Sequence, residues 1–178
     1  MNLPNKLTLL RMVLVPFFVF FLLYENGENF VFRMTALGIF VAVITDTLDG
    51  WIARKYQLIT DFGKFMDPLA DKLLVCSALI CFVELRQLSA VAVLLVIARE
   101  FIISGLRLLA ADNGVVIAAA MSGKIKTVVQ MFTVILLLCN IKALEVVTNG
   151  FIWLMVLLTL VSLGEYIIKN RQAFFVGQ

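Results

Sequence analysis

Apolar residues along this chain come in runs rather than in strict alternation. Six stretches hold no charged residue: 12–24, 34–45, 73–83, 87–98, 127–141 and 146–164. Only the last comes near the ~20 residues that an α-helix needs to cross the hydrocarbon of a bilayer. The others are bounded by isolated charges. Helices that run on through their charged ends resolve this, provided those charges face a protein-lined cavity rather than lipid. The pattern then predicts six spans, at 7–24, 31–55, 64–84, 87–111, 121–141 and 147–169. Breakers suited to turns are Asn26-Gly27, Asn113-Gly114 and Asn149-Gly150.

Composition agrees with the pattern. Hydrophobic residues make up 62% of the 178 positions and the mean hydropathy is +1.04, against roughly 45–50% apolar in soluble domains. The expected fold class is an all-α integral membrane protein. It would be a single domain, 1–178, built as a six-helix transmembrane bundle with a polar cavity open to the cytoplasm. Six spans put both termini on one side. Twelve of the 15 Lys and Arg residues fall there, leaving Arg33, Arg86 and Lys142 opposite. By the positive-inside rule the termini are cytoplasmic and the chain is multi-pass in the cell membrane.

Lys6 and Arg11 precede the first apolar run much as in a secretory signal. No small-residue cleavage motif follows, so that run is expected to stay as a span. Leu3, Leu7 and Leu10 fall opposite Asn5, Lys6 and Arg11, which predicts a short interfacial helix before the bilayer is entered.

Several functions are excluded or disfavoured. A net charge of +3 gives no case for a nucleic-acid partner. There is no histidine, so no His base, ligand or phospho-carrier. Cys76, Cys81 and Cys139 sit in apolar runs without CxxC spacing and read as packing residues.

The stretch "DTLDGWIARKYQLITDFGKFMDPLAD", residues 46–71, breaks the apolar pattern with five aspartates. Asp46 and Asp49 are three apart and Asp67 and Asp71 four apart, so each pair shares a helix face. A short polar turn joins the two helices, which brings four carboxylates to one membrane depth. One charge at mid-bilayer costs ~2.5–3.5 kcal/mol on insertion scales, and four anions repel one another. Arg or Lys partners, or hard metal ions, must offset this. Oxygen-only donors suit Mg²⁺ or Mn²⁺, and four carboxylates suffice for two ions. Paired ions of this kind serve displacement at phosphorus. Pairing with Arg54, Lys55, Lys64 and Lys72 is the plainer alternative, and for Asp61, in the turn, it is preferred. Gly50, Ala53 and Gly63 flank the acids; small residues admit a ligand near the backbone or a close helix neighbour.

With those residues in view, the stretch resembles the CDP-alcohol phosphotransferase family. That signature reads D-x₂-D-G-x₂-A-R-x₈-G-x₃-D-x₃-D. Asp46, Asp49, Gly50, Ala53, Arg54, Gly63, Asp67 and Asp71 meet it at every gap. The resemblance implies a cytidine-diphosphate lipid donor, two metal ions and an acceptor alcohol that attacks the β-phosphorus and releases CMP. It implies that Asp46, Asp49 and Asp67 are metal ligands, and that Asp71 is the general base as well as a neighbour of a metal. It casts Gly50, Ala53 and Gly63 as the cytidine cradle and Arg54 as a partner of the donor's phosphates or of an aspartate.

The acceptor is addressed by the remaining cations. "IAREFIISGLRLLA" sets Arg99 and Arg107 eight apart on the fourth span, and "SGKIKT" sets Lys124 and Lys126 at the start of the fifth. Ser104, Gly105, Ser122 and Gly123 lie beside them, and Glu100 is placed to orient a cation. Four cations on the side of the aspartates suit an acceptor that itself bears a phosphate; the plainer alternative is positive-inside anchoring. "NLPNKLTLLR", "REFIISGLRLLA" and "GKIKT" resemble one bacterial branch of the family, which implies CDP-diacylglycerol as donor and glycerol 3-phosphate as acceptor. Inositol phosphate, serine and phosphatidylglycerol are the alternative acceptors. An ion-coupled transporter is the rival class, disfavoured because the acids lie toward one face and no inverted repeat is evident. Small-residue faces are compatible with a homodimer in the lipid membrane.

Overall fold

The computed structural model describes residues 3–54, 61–112 and 121–169, with side-chain detail at 9–45, 69–70, 72–107 and 121–169. Among the described residues every regular element is helical. Six long helices follow in order: α1 Leu3–Leu23, α2 Phe30–Arg54, α3 Asp61–Glu84, α4 Ala90–Asp112, α5 Met121–Cys139 and α6 Glu145–Lys169. Short 3-10 turns, Tyr24–Gly27 and Lys142–Leu144, precede α2 and α6. Among the described residues three segments are long and apolar enough to cross a membrane: Leu9–Gly27, Met121–Cys139 and Lys142–Lys169. Phe30–Thr45 of α2 is apolar but shorter.

The helices gather into two compact units. The first holds Met1–Leu88 with Leu137–Cys139; the second holds Ser89–Leu136 and Asn140–Gln178. In the first unit α1 packs along α2 and α3. Its inner stripe is Arg11, Val15, Phe18 and Leu22, spaced four, three and four residues apart. Phe18 meets Phe40 of α2 with ring centroids 6.1 Å apart, and Leu74, Ala78, Leu79 and Phe82 of α3 are buried with them. Arg11 was expected on the polar face of a short interfacial helix. Instead α1 is one continuous helix and Arg11 is buried on its core stripe.

Left-handed residues set the breaks. Glu25, Asn26 and Gly27 all have positive φ, as the Asn26-Gly27 signal requires. A Cβ on Gly27 would lie 2.9 Å from Leu85 and 3.1 Å from the Leu22 carbonyl, so this glycine is also needed for close packing. Asn29 then caps α2, its Oδ1 accepting from the Val31 and Phe32 amides at 3.1 and 3.4 Å. The turn expected at Asn149-Gly150 lies inside α6 instead. The break falls at Asn140, whose φ of 47° ends α5, since asparagine tolerates the left-handed region that closes a helix. Asn113-Gly114 lies outside the described residues.

The first unit is tied at this end by Arg33, which is 4% exposed. Its Nε donates to the Leu138 carbonyl at 2.8 Å and its Nη1 to the Gly27 carbonyl at 2.8 Å. Its Nη2 donates to Gln87 Oε1 at 3.0 Å and to the Leu137 carbonyl. The last carbonyls of a helix have no partner within it. Here one guanidinium serves two of them on α5, together with the turn before α2 and the loop after α3.

The second unit pairs α4 with α6, and its interior is unusually polar. Arg99, Lys126, Gln130, Thr133, Thr159 and Ser162 are all buried, beside Val93, Val96, Val134 and Met155. Outward positions are apolar instead, including Val91, Leu94, Val146, Trp153 and Ile168. An apolar exterior with polar groups turned inward is what a lipid solvent demands. Cys76, Cys81 and Cys139 are free thiols, the first two buried, in keeping with packing roles.

Arg33→Met would strand three backbone carbonyls. It should cost about 3 kcal/mol or more, with Arg33→Lys between the two. Thermal unfolding in detergent, followed by a thiol-reactive dye on the buried cysteines, measures it.

Candidate functional site

The aspartates fall where two helices hand over to one another. Asp46, Asp49, Gly50, Ala53 and Arg54 lie on the last turns of α2; Gly63, Asp67 and Asp71 lie on the first turns of α3. Both helices are continuous through these positions, so each acidic pair sits one turn apart. Residues 55–60 join them, a length typical of connections within helical bundles. The side chains of these eight residues lie outside the described ones. Every donor in the set is a carboxylate, with no imidazole or thiolate. Such a set fits hard, oxygen-preferring divalent ions.

The cations predicted for the acceptor are all described, in the second unit. Arg99 is 7% exposed and Lys126 fully buried. Their charges meet at Glu100. Its Oε1 accepts from Arg99 Nη1 at 3.2 Å and from Lys126 Nζ at 2.5 Å. Arg99 Nε donates onward to Ser162 Oγ of α6 at 3.0 Å, and the Lys126 ammonium donates to Gln130 Oε1 one turn along α5. Helical spacing explains the last contact, because residues four apart face one another. A cross-helix cluster of one carboxylate and two cations thus links α4, α5 and α6.

Arg107 stands differently. Its Nε is buried and makes no hydrogen bond among the described residues. A buried donor without a partner costs ~1–3 kcal/mol, so this nitrogen is a natural point for an anion. Lys124 is exposed at the start of α5. Beside it, Ser122 Oγ donates to Glu165 of α6, which also accepts from Lys169 one turn further on. Among the described residues nothing lies within 4 Å of where a Cβ on Gly105 would stand. Gly123 is the opposite case, since a Cβ there would sit 2.9 Å from Arg99 Nη2.

The sequence reading missed Gln130, Ser162 and Glu165. Each is a polar residue inside an otherwise apolar stretch, which was the available signal. It named Lys126 as a ligand for the acceptor; the structure shows its ammonium engaged by Glu100 and Gln130.

Comparison with known proteins covers both units. The model of the CDP-alcohol phosphatidyltransferase family matches residues 1–161. A Bacillus subtilis protein named CDP-diacylglycerol–glycerol-3-phosphate 3-phosphatidyltransferase is 43% identical, over 97% of this chain and 96% of its own. Proteins of the same name are 38% identical in Rickettsia typhi, over 98% of this chain and 99% of theirs, and in Haemophilus influenzae, over 93% and 91%.

Lys126→Met leaves the largely buried Glu100 without its closest cation. It should destabilise by about 2–3 kcal/mol, near the lower range for broken buried pairs. Adding Glu100→Gln should recover part of the loss. A thermal-unfolding double-mutant cycle reads the coupling.

Proposed function

The chain belongs to the CDP-alcohol phosphatidyltransferase family, and we propose from that premise that it transfers the phosphatidyl group of CDP-diacylglycerol to the hydroxyl of sn-glycerol 3-phosphate. The products are phosphatidylglycerol phosphate and CMP. The observation that carries this reading is near full-length likeness to relatives bearing that activity's name. The intact signature and the buried cations on α4 and α5 support it.

In this reading the whole chain is one enzyme of six membrane spans, with both termini on the cytoplasmic side of the cell membrane. Asp46, Asp49, Asp67 and Asp71 would hold two Mg²⁺ or Mn²⁺ ions. Bound there, the ions supply positive charge to the donor's diphosphate and acidify the acceptor hydroxyl. Gly50, Ala53 and Gly63 leave room for the cytidine, and Arg54 meets the phosphates. Asp71 takes the proton of the acceptor hydroxyl. The acceptor oxygen then bonds to the β-phosphorus, the bond from that phosphorus to the bridging oxygen breaks, and CMP leaves with the electron pair. An aspartate is a weak base in water, with a pKa of ~3.9, so Asp71 serves by being positioned at the hydroxyl as the new bond forms. Arg107 Nε, Arg99 and Lys124 face the acceptor's phosphate.

Purified protein given CDP-diacylglycerol and radiolabelled glycerol 3-phosphate should put label into lipid. Excess chelator should abolish this, and Mg²⁺ or Mn²⁺ should restore it. Absence of incorporation by folded protein, or full activity in chelator, overturns the reading. Asp71→Asn should lose at least ~100-fold in turnover, at the low end for a removed general base, while still binding CDP-lipid. Arg107→Ala should raise KM for glycerol 3-phosphate about tenfold, the scale of one lost charge-assisted hydrogen bond, with the donor KM little changed.

A further inference from the structure

Arg99 is fixed on two of its three nitrogens. Nε is held by Ser162 and Nη1 by Glu100. Nη2 makes no hydrogen bond among the described residues and lies against Gly123. Nη2 takes up the place that a side chain on Gly123 would need, 2.9 Å from where its Cβ would stand. Lys126, fully buried, cannot touch a ligand without leaving its own partners. Its ammonium secures Glu100, and Glu100 in turn secures Arg99. The three groups together carry one net positive charge.

We propose that Glu100 and Lys126 are positioning residues, holding Arg99 so that Nη2 is presented at Gly123 to the acceptor's phosphate. This rests on the acceptor assignment above and deepens it. A guanidinium held on two edges gives up little rotamer freedom when an anion arrives, so more of each new hydrogen bond appears as affinity. Lys126 acts through Glu100 rather than by contact. Gly123 is required because any side chain there would push Nη2 out of this position.

The test is steady-state kinetics on the full-length protein in mixed micelles, with inorganic phosphate as a competitor of glycerol 3-phosphate. Glu100→Gln keeps the shape and removes the charge. It should raise KM for glycerol 3-phosphate, and the inhibition constant of inorganic phosphate, by about tenfold each, as for one weakened charge-assisted hydrogen bond. The KM for CDP-diacylglycerol should stay within about twofold and kcat within about threefold, less than one tenfold step of 1.4 kcal/mol. Glu100→Asp should recover part of the loss. Gly123→Ala, with Glu100 intact, should reproduce the split between the two substrates. If Glu100→Gln does not fold, Glu100→Asp and Gly123→Ala still decide the matter.

A parallel rise in both KM values, or an unmoved phosphate constant in Gly123→Ala, refutes the positioning role. If phosphate competes with the acceptor in the wild type and no variant changes it, the acceptor site stands and only this proposal falls. If phosphate does not compete in the wild type, both fall.

Discussion

A charge inside an apolar helix has to be answered by the protein itself, because hydrocarbon offers it nothing. Every notable feature of this chain follows from that condition. Lys126 has no exposed surface and Arg99 and Arg33 nearly none, yet each has partners within reach: a carboxylate and an amide for Lys126, a carboxylate and a hydroxyl for Arg99, backbone carbonyls and an amide for Arg33. Leaving any of them unmet would cost several kilocalories per mole.

Two kinds of answer are used. At one end of the first unit, Arg33 is satisfied almost wholly by backbone carbonyls. This converts the unpaired last turn of α5 from a liability into a binding site for an internal cation. In the second unit, Arg99 and Lys126 share Glu100, so that two cations and an anion are buried together rather than one charge alone. The first arrangement fixes helix ends. The second leaves Nη2 of Arg99 without a hydrogen bond among the described residues.

The legible part of this molecule was its periodicity and its signature. Runs of apolar residues located all six helices, because lipid-facing and core-facing stripes both require them, and eight signature residues at fixed gaps between Asp46 and Asp71 carried the family. Helix ends were harder. Asn149-Gly150 looked like a turn but sits within α6, whereas Asn140, with no glycine beside it, ends α5; local composition cannot say which asparagine will take the left-handed conformation. Arg11 was expected on the polar face of an interfacial helix and Arg33 on the side opposite the termini. Their burial depends on which stripe of a helix meets its neighbour, a tertiary fact. The roles of Lys124 and Lys126 could not be told apart from "SGKIKT", since only the packing of α4 and α6 decides which lysine is turned inward.

Arg33 and the carbonyls it serves are 104 and 105 residues apart in the chain. A ribosome adding about 5–20 residues per second needs some 5–20 s to cover that gap. During biogenesis the first three helices are therefore synthesised with this guanidinium still waiting for its permanent partners. It must borrow water or lipid headgroups until the fifth helix emerges, and the N-terminal half locks only then.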